Sequence, residues 1–352
     1  MEYLENDPIR LSADRTAVEV IDQRLLPGEL RWVSLRSAGE VAEAIRTLAV
    51  RGAPLIGICA AYGICIAAAK ALREDREHFF ERFKTDSLVI SGARPTAVDP
   101  YHAAQRLRRR LERQRSAGHG PEEITEGLFE EAVSLHEEEI RTCLAISELG
   151  LTLIKDGSTV ITHCNAGAMA TGRYGTGLGP LLLGAEKGYT FHAYVDETRP
   201  LLQGARITAF ELMRAGVDTT LMCDDMAAYV MAQGKTDACM VGCDRVAVNG
   251  DTANKIGTCG LAVLAKHYGV PFYVFCPVST IDLCCKTGAD IQIEMRDGRE
   301  ITGLYFEKPV APEGVRCLDP SFDVTPAELI TAIVTERGIF YPPYDFSAFG
   351  KG

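Results

Sequence analysis

Cys164 closes a β-branched run, Thr159 to Thr162, of the composition that forms a buried strand. A loop with Gly167, Gly172, Gly175, Gly177 and Gly179 follows, and such a loop can turn several backbone N–H groups toward an anion. Three later strand-like runs also end in polar clusters. Residues 190–195 run into DETRPLLQGAR (196–206), residues 219–224 end in Cys223-Asp224-Asp225, and residues 238–242 run into GCDRVAVNGDTANKIGT (242–258). The carboxyl ends of parallel strands share one edge of their sheet, so Cys164, Asp196, Asp224 and Asp244 are expected at one rim. A thiol and carboxylates gathered there suit proton transfer, with burial and neighbours tuning each group.

Arg199, Arg206, Arg245 and Lys255 supply countercharge for a phosphate. Asn254-Lys255-Ile256-Gly257 is expected at a helix N-terminus, where N–H groups and the helix dipole favour an anion. No Walker pattern and no full G-x-G-x-x-G fingerprint occurs, which favours a sugar phosphate over a nucleotide. Arg51 in RGAP and Arg94 in ARPT each lie just before a proline and could present a guanidinium to phosphate. His163 neighbours Cys164, but adjacent strand residues point to opposite faces, so it reads as structural. Cys243 reads as a packing residue.

The elements that would position these groups fall into two parts. Residues 1–150 read as short strands, Ala17–Ile21 and Leu30–Leu35 around Pro27-Gly28, followed by helices. The first of these helices follows Ser37 or Gly39, another runs to about Leu72, and charged helical sequence fills the stretch from Glu74 to Gly150. The irregular ISGARPTAVDP (90–100) precedes a helix beginning near Tyr101. From 151 to 352, strand-like runs (159–164, 190–195, 219–224, 238–242, 272–276) alternate with helix-like ones near 177–187, 204–215, 226–233 and 257–268. That rhythm predicts an α/β domain, a Rossmann-like parallel sheet with helices on both faces, after a smaller and mostly helical N-terminal domain. A short helix is expected over Pro326 to Arg337.

Composition narrows the partners. With 352 residues, 47% hydrophobic and 24% charged, the chain has the makeup of a globular protein. A net charge of −11 argues against nucleic acid or an acidic membrane as the main partner. The basic run RLRRRLERQR (106–115) lacks interleaved aromatics and reads as a solvated helix face offset by the acidic helix Glu122–Glu139. The 12 cysteines form no C-x-x-C and no clustered ligand spacing, against zinc. The N-terminus has no signal-peptide pattern, so a cytoplasmic location with reduced thiols is expected. The apolar run Ile56 to Ala69 is shorter than the ~20 residues a membrane span needs and reads as a buried helix.

Together these stretches resemble the 5-methylthioribose-1-phosphate isomerase family, within a wider group that includes regulatory subunits of a translation-initiation nucleotide-exchange factor. The resemblance is carried by IDQRLLP (21–27), RGAPLIG (51–57), RPTAV (94–98), THCNAGAMAT (162–171), YGTGLG (174–179), DETRPLLQGAR (196–206), CDDMAA (223–228), VGCDR (241–245), NGDTANKIGT (249–258) and PVSTID (277–282). It implies an aldose-to-ketose isomerase of methionine salvage that uses no metal or nucleotide cofactor and works as a homodimer. It places catalysis on Cys164 and Asp244, and contacts to the sugar phosphate on Arg51, Gly52, Ala53, Arg94, Gln203, Asn254 and Lys255. Asp244 is then expected to be kept protonated by burial, to act as the acid that opens the sugar ring. Arg173 departs from the usual small loop residues, and its charge would suit a second phosphate. A related pentose 1-phosphate, 5-deoxyribose 1-phosphate or ribose 1,5-bisphosphate, is the alternative substrate, and a non-catalytic regulatory subunit the remaining reading.

Overall fold

The computed structural model describes residues 7–94 and 98–350. By their internal contacts they form two units. One holds residues 7–141 with Ala168–Arg173, and the other holds Thr142–Gly167 with the residues from Tyr174 onward.

In the first unit, β1 (Ile9–Leu11), β2 (Val18–Ile21) and β3 (Trp32–Leu35) make an antiparallel sheet. Then come α1 (Ala38–Arg46), α2 (Ala53–Glu74), α3 (Phe79–Ser91) and α4 (Asp99–Ser116). After them α5 (Pro121–Leu151) begins, and it ends in the second unit. Ser37 starts α1 as its N-cap, its hydroxyl accepting from the Glu40 N–H. α2 is apolar on every side because every side is packed, with Ile56, Ile58, Ile64 and Cys65 each at most 1% exposed. It is long and apolar enough to cross a membrane by length and composition, yet 89% of its apolar window is buried inside the protein. The basic run on α4 pairs with the acidic helix as expected. Arg106 donates to Glu131 at 2.6 Å and to Glu138 at 2.5 Å, and Arg110 donates to Glu130 at 2.9 Å.

The second unit is built on a seven-stranded sheet. Its strands are β4 (Thr159–His163), β5 (His192–Asp196), β6 (Asp218–Met222), β7 (Ala238–Gly242), β10 (Phe272–Phe275), β13 (Ala332–Thr335) and β14 (Gly338–Phe340). The order is β14-β13-β10-β7-β4-β5-β6, and every pairing is parallel except β13 with β14. The linking helices include α7 (Gly179–Glu186), α8 (Ala209–Arg214), α9 (Ala227–Ala232) and α10 (Thr258–Tyr268), while α6 (Ala168–Thr171) belongs to the first unit. Successive residues of β10 meet different helices, because strand side chains alternate faces. Val274 packs in a core with Val230 and Leu261 of α9 and α10. Phe275 lies against Gly150 of α5, where an added Cβ would come within 2.5 Å of its ring. The expected Rossmann-like sheet, with helices on both faces, is present.

Two expectations fail. The helix awaited over Pro326 to Arg337 is only a 3-10 turn, Ala327–Leu329, and then β13. The β-branched Ile333, Val334 and Thr335 favour a strand, here paired between β10 and β14, over a helix. The stretch after β7 is not loop and helix alone either. It forms β8 (Arg245–Ala247) and β9 (Thr252–Lys255), which join β11 (Ile281–Asp282) and β12 (Phe322–Thr325) in a four-stranded sheet.

Candidate active site

Four neighbouring strands of the main sheet stop at one edge. β4 ends at His163 before Cys164, β5 ends at Asp196, β6 ends at Met222 before Cys223-Asp224, and β7 ends at Gly242 before Cys243-Asp244. The rim read from the sequence therefore exists, with Cys164 and Asp244 following adjacent parallel strands.

Cys164 is half-buried and has φ +65°, a left-handed conformation that a non-glycine residue adopts only where its surroundings hold it. Three side-chain contacts provide that hold. Its N–H donates to Thr198 Oγ1 at 2.9 Å, and its carbonyl accepts from Thr208 Oγ1 at 2.6 Å. The next residue, Asn165, donates from Nδ2 to the fully buried Glu211 at 2.5 Å. Thr208 lies in a π-helical turn, Gly204–Thr208, an irregularity often found at functional sites. Gly204 makes that turn possible. A Cβ there would sit 1.7 Å from the Asp196 carbonyl oxygen and 2.8 Å from Thr198 Oγ1.

His163 is 1% exposed and its two ring nitrogens are both engaged. Nδ1 faces Asp196 Oδ2 at 3.0 Å, and Nε2 faces the Ile256 carbonyl oxygen at 2.8 Å. It is not a base for Cys164, in line with the structural reading. Asp224 spends both carboxylate oxygens on the N–H groups of Thr198 and Arg199, each at 2.7 Å. His163, Asp196 and Asp224 are the described residues with the donor set and spacing for a metal ion. His163 Nδ1 and Asp196 Oδ2 are turned toward each other and Asp224 toward the loop N–H groups, while Asp196 Oδ1 has no hydrogen-bond partner among the described residues.

Several expectations are corrected here. The glycine loop after Cys164 spends several of its N–H groups on its own carbonyls. The N–H groups of Thr176 and Leu178 donate to the Ala166 carbonyl, and that of Gly179 to Thr176. Two of its glycines admit backbone, since a Cβ on Gly175 would lie 2.3 Å from the Ala166 carbonyl oxygen and one on Gly177 2.6 Å from the Gly242 nitrogen. Asn254 and Lys255 end β9 rather than begin a helix. α10 starts at Thr258, and its first N–H groups are taken by Asp323, whose carboxylate accepts from Gly257 at 2.8 Å and Cys259 at 3.1 Å. Burial lifts the Asp323 carboxyl above the usual carboxylate range, and those same N–H groups oppose it. Arg245 is paired to Asp282 at 3.0 Å, and Arg173 makes two bonds to Asp7, at 2.5 and 3.0 Å. Neither is held open for an anion. Asp244 is exposed, so the burial expected to keep it protonated is not provided by the packing of this chain.

The remaining candidates divide by unit. In the second, Gln203 is buried and its Oε1 has no hydrogen-bond partner among the described residues. Asn254 is buried and donates to Thr258 Oγ1 at 3.1 Å. Lys255 is 9% exposed, with its ammonium 4.5 Å from the Phe322 ring centre and no ion pair among the described residues. Asp319, which the sequence reading missed, is buried with Oδ2 unpartnered among those residues. Burial and Glu300 raise its pKa, while Arg296, Lys255 and Arg199 lower it. Nothing in its local sequence, CLDPS, marks it. Cys243 is the packing residue expected, since burial and then Cys276 push its thiol pKa well up. In the first unit, Arg51 and Gly52 lead into α2, whose N-terminus has no side-chain cap. Gly52 has φ +99°, and a Cβ there would lie 2.3 Å from the Ala170 carbonyl oxygen. Arg94 borders residues 95–97, so most of the RPTAV motif lies outside the described residues.

Similarity to known proteins places this geometry. The Initiation factor 2 subunit family profile matches residues 49–342. A methylthioribose-1-phosphate isomerase of Symbiobacterium thermophilum is 52% identical, over 96% of this chain and 94% of the relative. A 5-deoxyribose 1-phosphate isomerase of Petrotoga mobilis is 48% identical, over 96% of each. Among solved structures, 5-methylthioribose 1-phosphate isomerase from Pyrococcus horikoshii superimposes with a TM-score of 0.91 at 37% identity, covering 98% of this chain and 95% of that one. A translation initiation factor 2B delta subunit from A. fulgidus gives 0.88 at 38% identity, covering 96% and 97%. With a polar strand-end rim on a Rossmann-like sheet and close relatives along nearly its whole length, the chain belongs to the Initiation factor 2 subunit family, among that family's isomerases.

Proposed function

We propose that this enzyme converts 5-methylthioribose 1-phosphate into 5-methylthioribulose 1-phosphate, with Asp244 as acid and Cys164 assisting hydrogen transfer from C2 to C1. The observation that carries the reading is the placement of Cys164 and Asp244 after adjacent parallel strands. A binding subunit has no need of that thiol and carboxyl pair. An aldose phosphorylated on C1 is locked as a ring with no free aldehyde, so the ring must open before any shift along the chain. Opening needs a proton at the ring oxygen, the role assigned to Asp244. Because Asp244 is exposed in the free chain, the substrate itself supplies the desolvation that favours its protonated form. Cys164 then takes the C2 hydrogen as a proton or guides it as a hydride.

Arg51, Gly52, Ala53 and Arg94 are proposed to hold the phosphate, supported by the uncapped start of α2 beside Arg51. Gln203, Asn254 and Lys255 are proposed to bind the sugar, supported by the unpartnered Gln203 Oε1 and by the buried ammonium of Lys255. Arg51→Ala and Arg94→Ala should each raise KM roughly tenfold or more while lowering kcat less, since a hydrogen bond to a charged group contributes about 1.5–3 kcal/mol. Steady-state kinetics check this, and an unchanged KM removes that arginine from the assignment.

The second reading, 5-deoxyribose 1-phosphate, is favoured by the Petrotoga mobilis relative at 48% identity. Ribose 1,5-bisphosphate loses its motive because Arg173 is engaged by Asp7. The kcat/KM values for the three sugars decide, with methylthioribose 1-phosphate expected to lead. A higher value for either rival would reassign the substrate. A homodimer acting in methionine salvage, in the cytoplasm, completes the proposal.

A further inference from the structure

His163 and Asp196 need more protons than a neutral ring and a carboxylate supply. The Ile256 carbonyl can only accept, so Nε2 must carry a hydrogen. With that hydrogen fixed, a neutral ring would aim the Nδ1 lone pair at Asp196 Oδ2 across 3.0 Å, two acceptors face to face. One further proton between them removes the conflict. Asp224 Oδ1, 3.9 Å from Nδ1, adds a second negative charge that draws this proton onto the ring.

We propose that His163 is an imidazolium sharing one buried proton with Asp196, and that this pair is the positioning element for Cys164 and Lys255. The pair ties three chain segments together: the end of β4, where Cys164 follows; the end of β5, through Asp196; and the turn after Lys255, through the Ile256 carbonyl. The ring also fills the space over Gly257, where a Cβ would lie 2.7 Å from its Cε1. A thiol that must meet a C–H bond within about 3.5 Å depends on such a tie, and a displacement of ~1 Å can cost 10²-fold in rate.

The electrostatics agree in direction. Burial opposes the charged ring, but the hydrogen bond and charge of Asp196, with Asp224 and the Ile256 carbonyl, raise His163 above the ordinary 6.5. Burial, with Asp224 and Glu197, lifts Asp196 above the carboxylate range while His163 pulls it down. The other groups acting here are Asp323, whose ionised form His163 favours, and Cys239, whose thiol is raised by burial and by Asp196. A histidine whose affinity for its proton is higher folded than unfolded adds stability below the unfolded value. That stability is lost as pH rises through the folded value. The pair therefore loosens on the alkaline side, above the ordinary 6.5.

Asp196→Asn separates the proton from the geometry. Its amide can donate to Nδ1 of a neutral ring, keeping the bond without a shared proton. Nitrogen NMR of the histidine-labelled full chain, with His163→Gln identifying the signal among seven histidines, reads the ring directly. At pH 7 both ring nitrogens of His163 should be protonated in the wild type, and only Nε2 in Asp196→Asn. A neutral wild-type ring, or a doubly protonated one in Asp196→Asn, overturns the pair.

In turnover, Asp196→Ala should lose about 10²-fold in kcat with KM moving far less. Asp196→Asn should recover at least about tenfold of that loss and show a weakened alkaline limb in kcat against pH. Equal kcat in the two variants, or an unshifted limb, overturns the positioning role. This inference rests on the assignment of Cys164 to hydrogen transfer. The NMR needs no substrate, so an imidazolium in a protein without isomerase activity would sink that assignment and the positioning role built on it, leaving only the shared proton.

Discussion

Cys164→Ser and Asp244→Asn should each lower kcat by roughly 10²–10⁴-fold, the usual contribution of a positioned group that moves a proton. Serine keeps the shape of the side chain but not the acidity or softness of sulfur, and asparagine keeps the shape of Asp244 but has no proton to give. Neither change should disturb the fold. Asp244 is exposed, and surface substitutions usually lie within about 0.5 kcal/mol of wild type. Cys164 is held through its backbone N–H and carbonyl, which serine leaves in place. A kcat lowered by that factor with an unchanged melting temperature is the expected combination, and turnover within about threefold of wild type removes the residue from the chemistry. The double variant should fall little further than the worse single one, because groups acting in one step are not additive.

Gly204→Ala should be the most damaging single substitution for the fold of this rim. Its Cβ would meet the Asp196 carbonyl oxygen at 1.7 Å, a backbone atom at the end of a buried strand that has no flexible way to retreat. Overpacking of this kind costs about 1–3 kcal/mol, and the upper end or beyond is expected here. The turn would have to move, carrying Thr208 and its bond to the Cys164 carbonyl, so kcat should fall as well. Gly260 in α10 is the control. Nothing lies within 4 Å of a Cβ there, and alanine should stabilise the helix by about 0.5–1 kcal/mol. Denaturant unfolding of both variants gives the comparison. Wild-type stability in Gly204→Ala would mean that the turn and the strand end are not packed as described.

Strands β4, β5, β6, β7 and β10 of the main sheet were legible because they are short, largely apolar runs that alternate with helix-like stretches, and the strand-end rule then located the rim. The second sheet was not. Arg245–Ala247 and Ile281–Asp282 are too short to show any period, and their pairing depends on partners remote in sequence. β13 was misread because TPAELITAIV carries a helix-like start, while Ile333 and Val334 are drawn into a central position by β10. Cys164, Asp196 and Asp224 were placed at the rim from the sequence. What could not be read was the use of each group. The bond from His163 to Ile256 spans 93 residues, and the capping of α10 by Asp323 spans more than 60. Arg173 and Arg245 looked like spare charge until Asp7 and Asp282 were seen beside them.

The most direct test is a crystal structure with a bound, unreactive pentitol 1-phosphate carrying the methylthio group. The account predicts Cys164 Sγ and the Asp244 carboxyl each within about 3.5 Å of the C1–C2 bond or of the oxygen that closes the ring in the substrate. A ligand seated away from either side chain, at full occupancy, would contradict it.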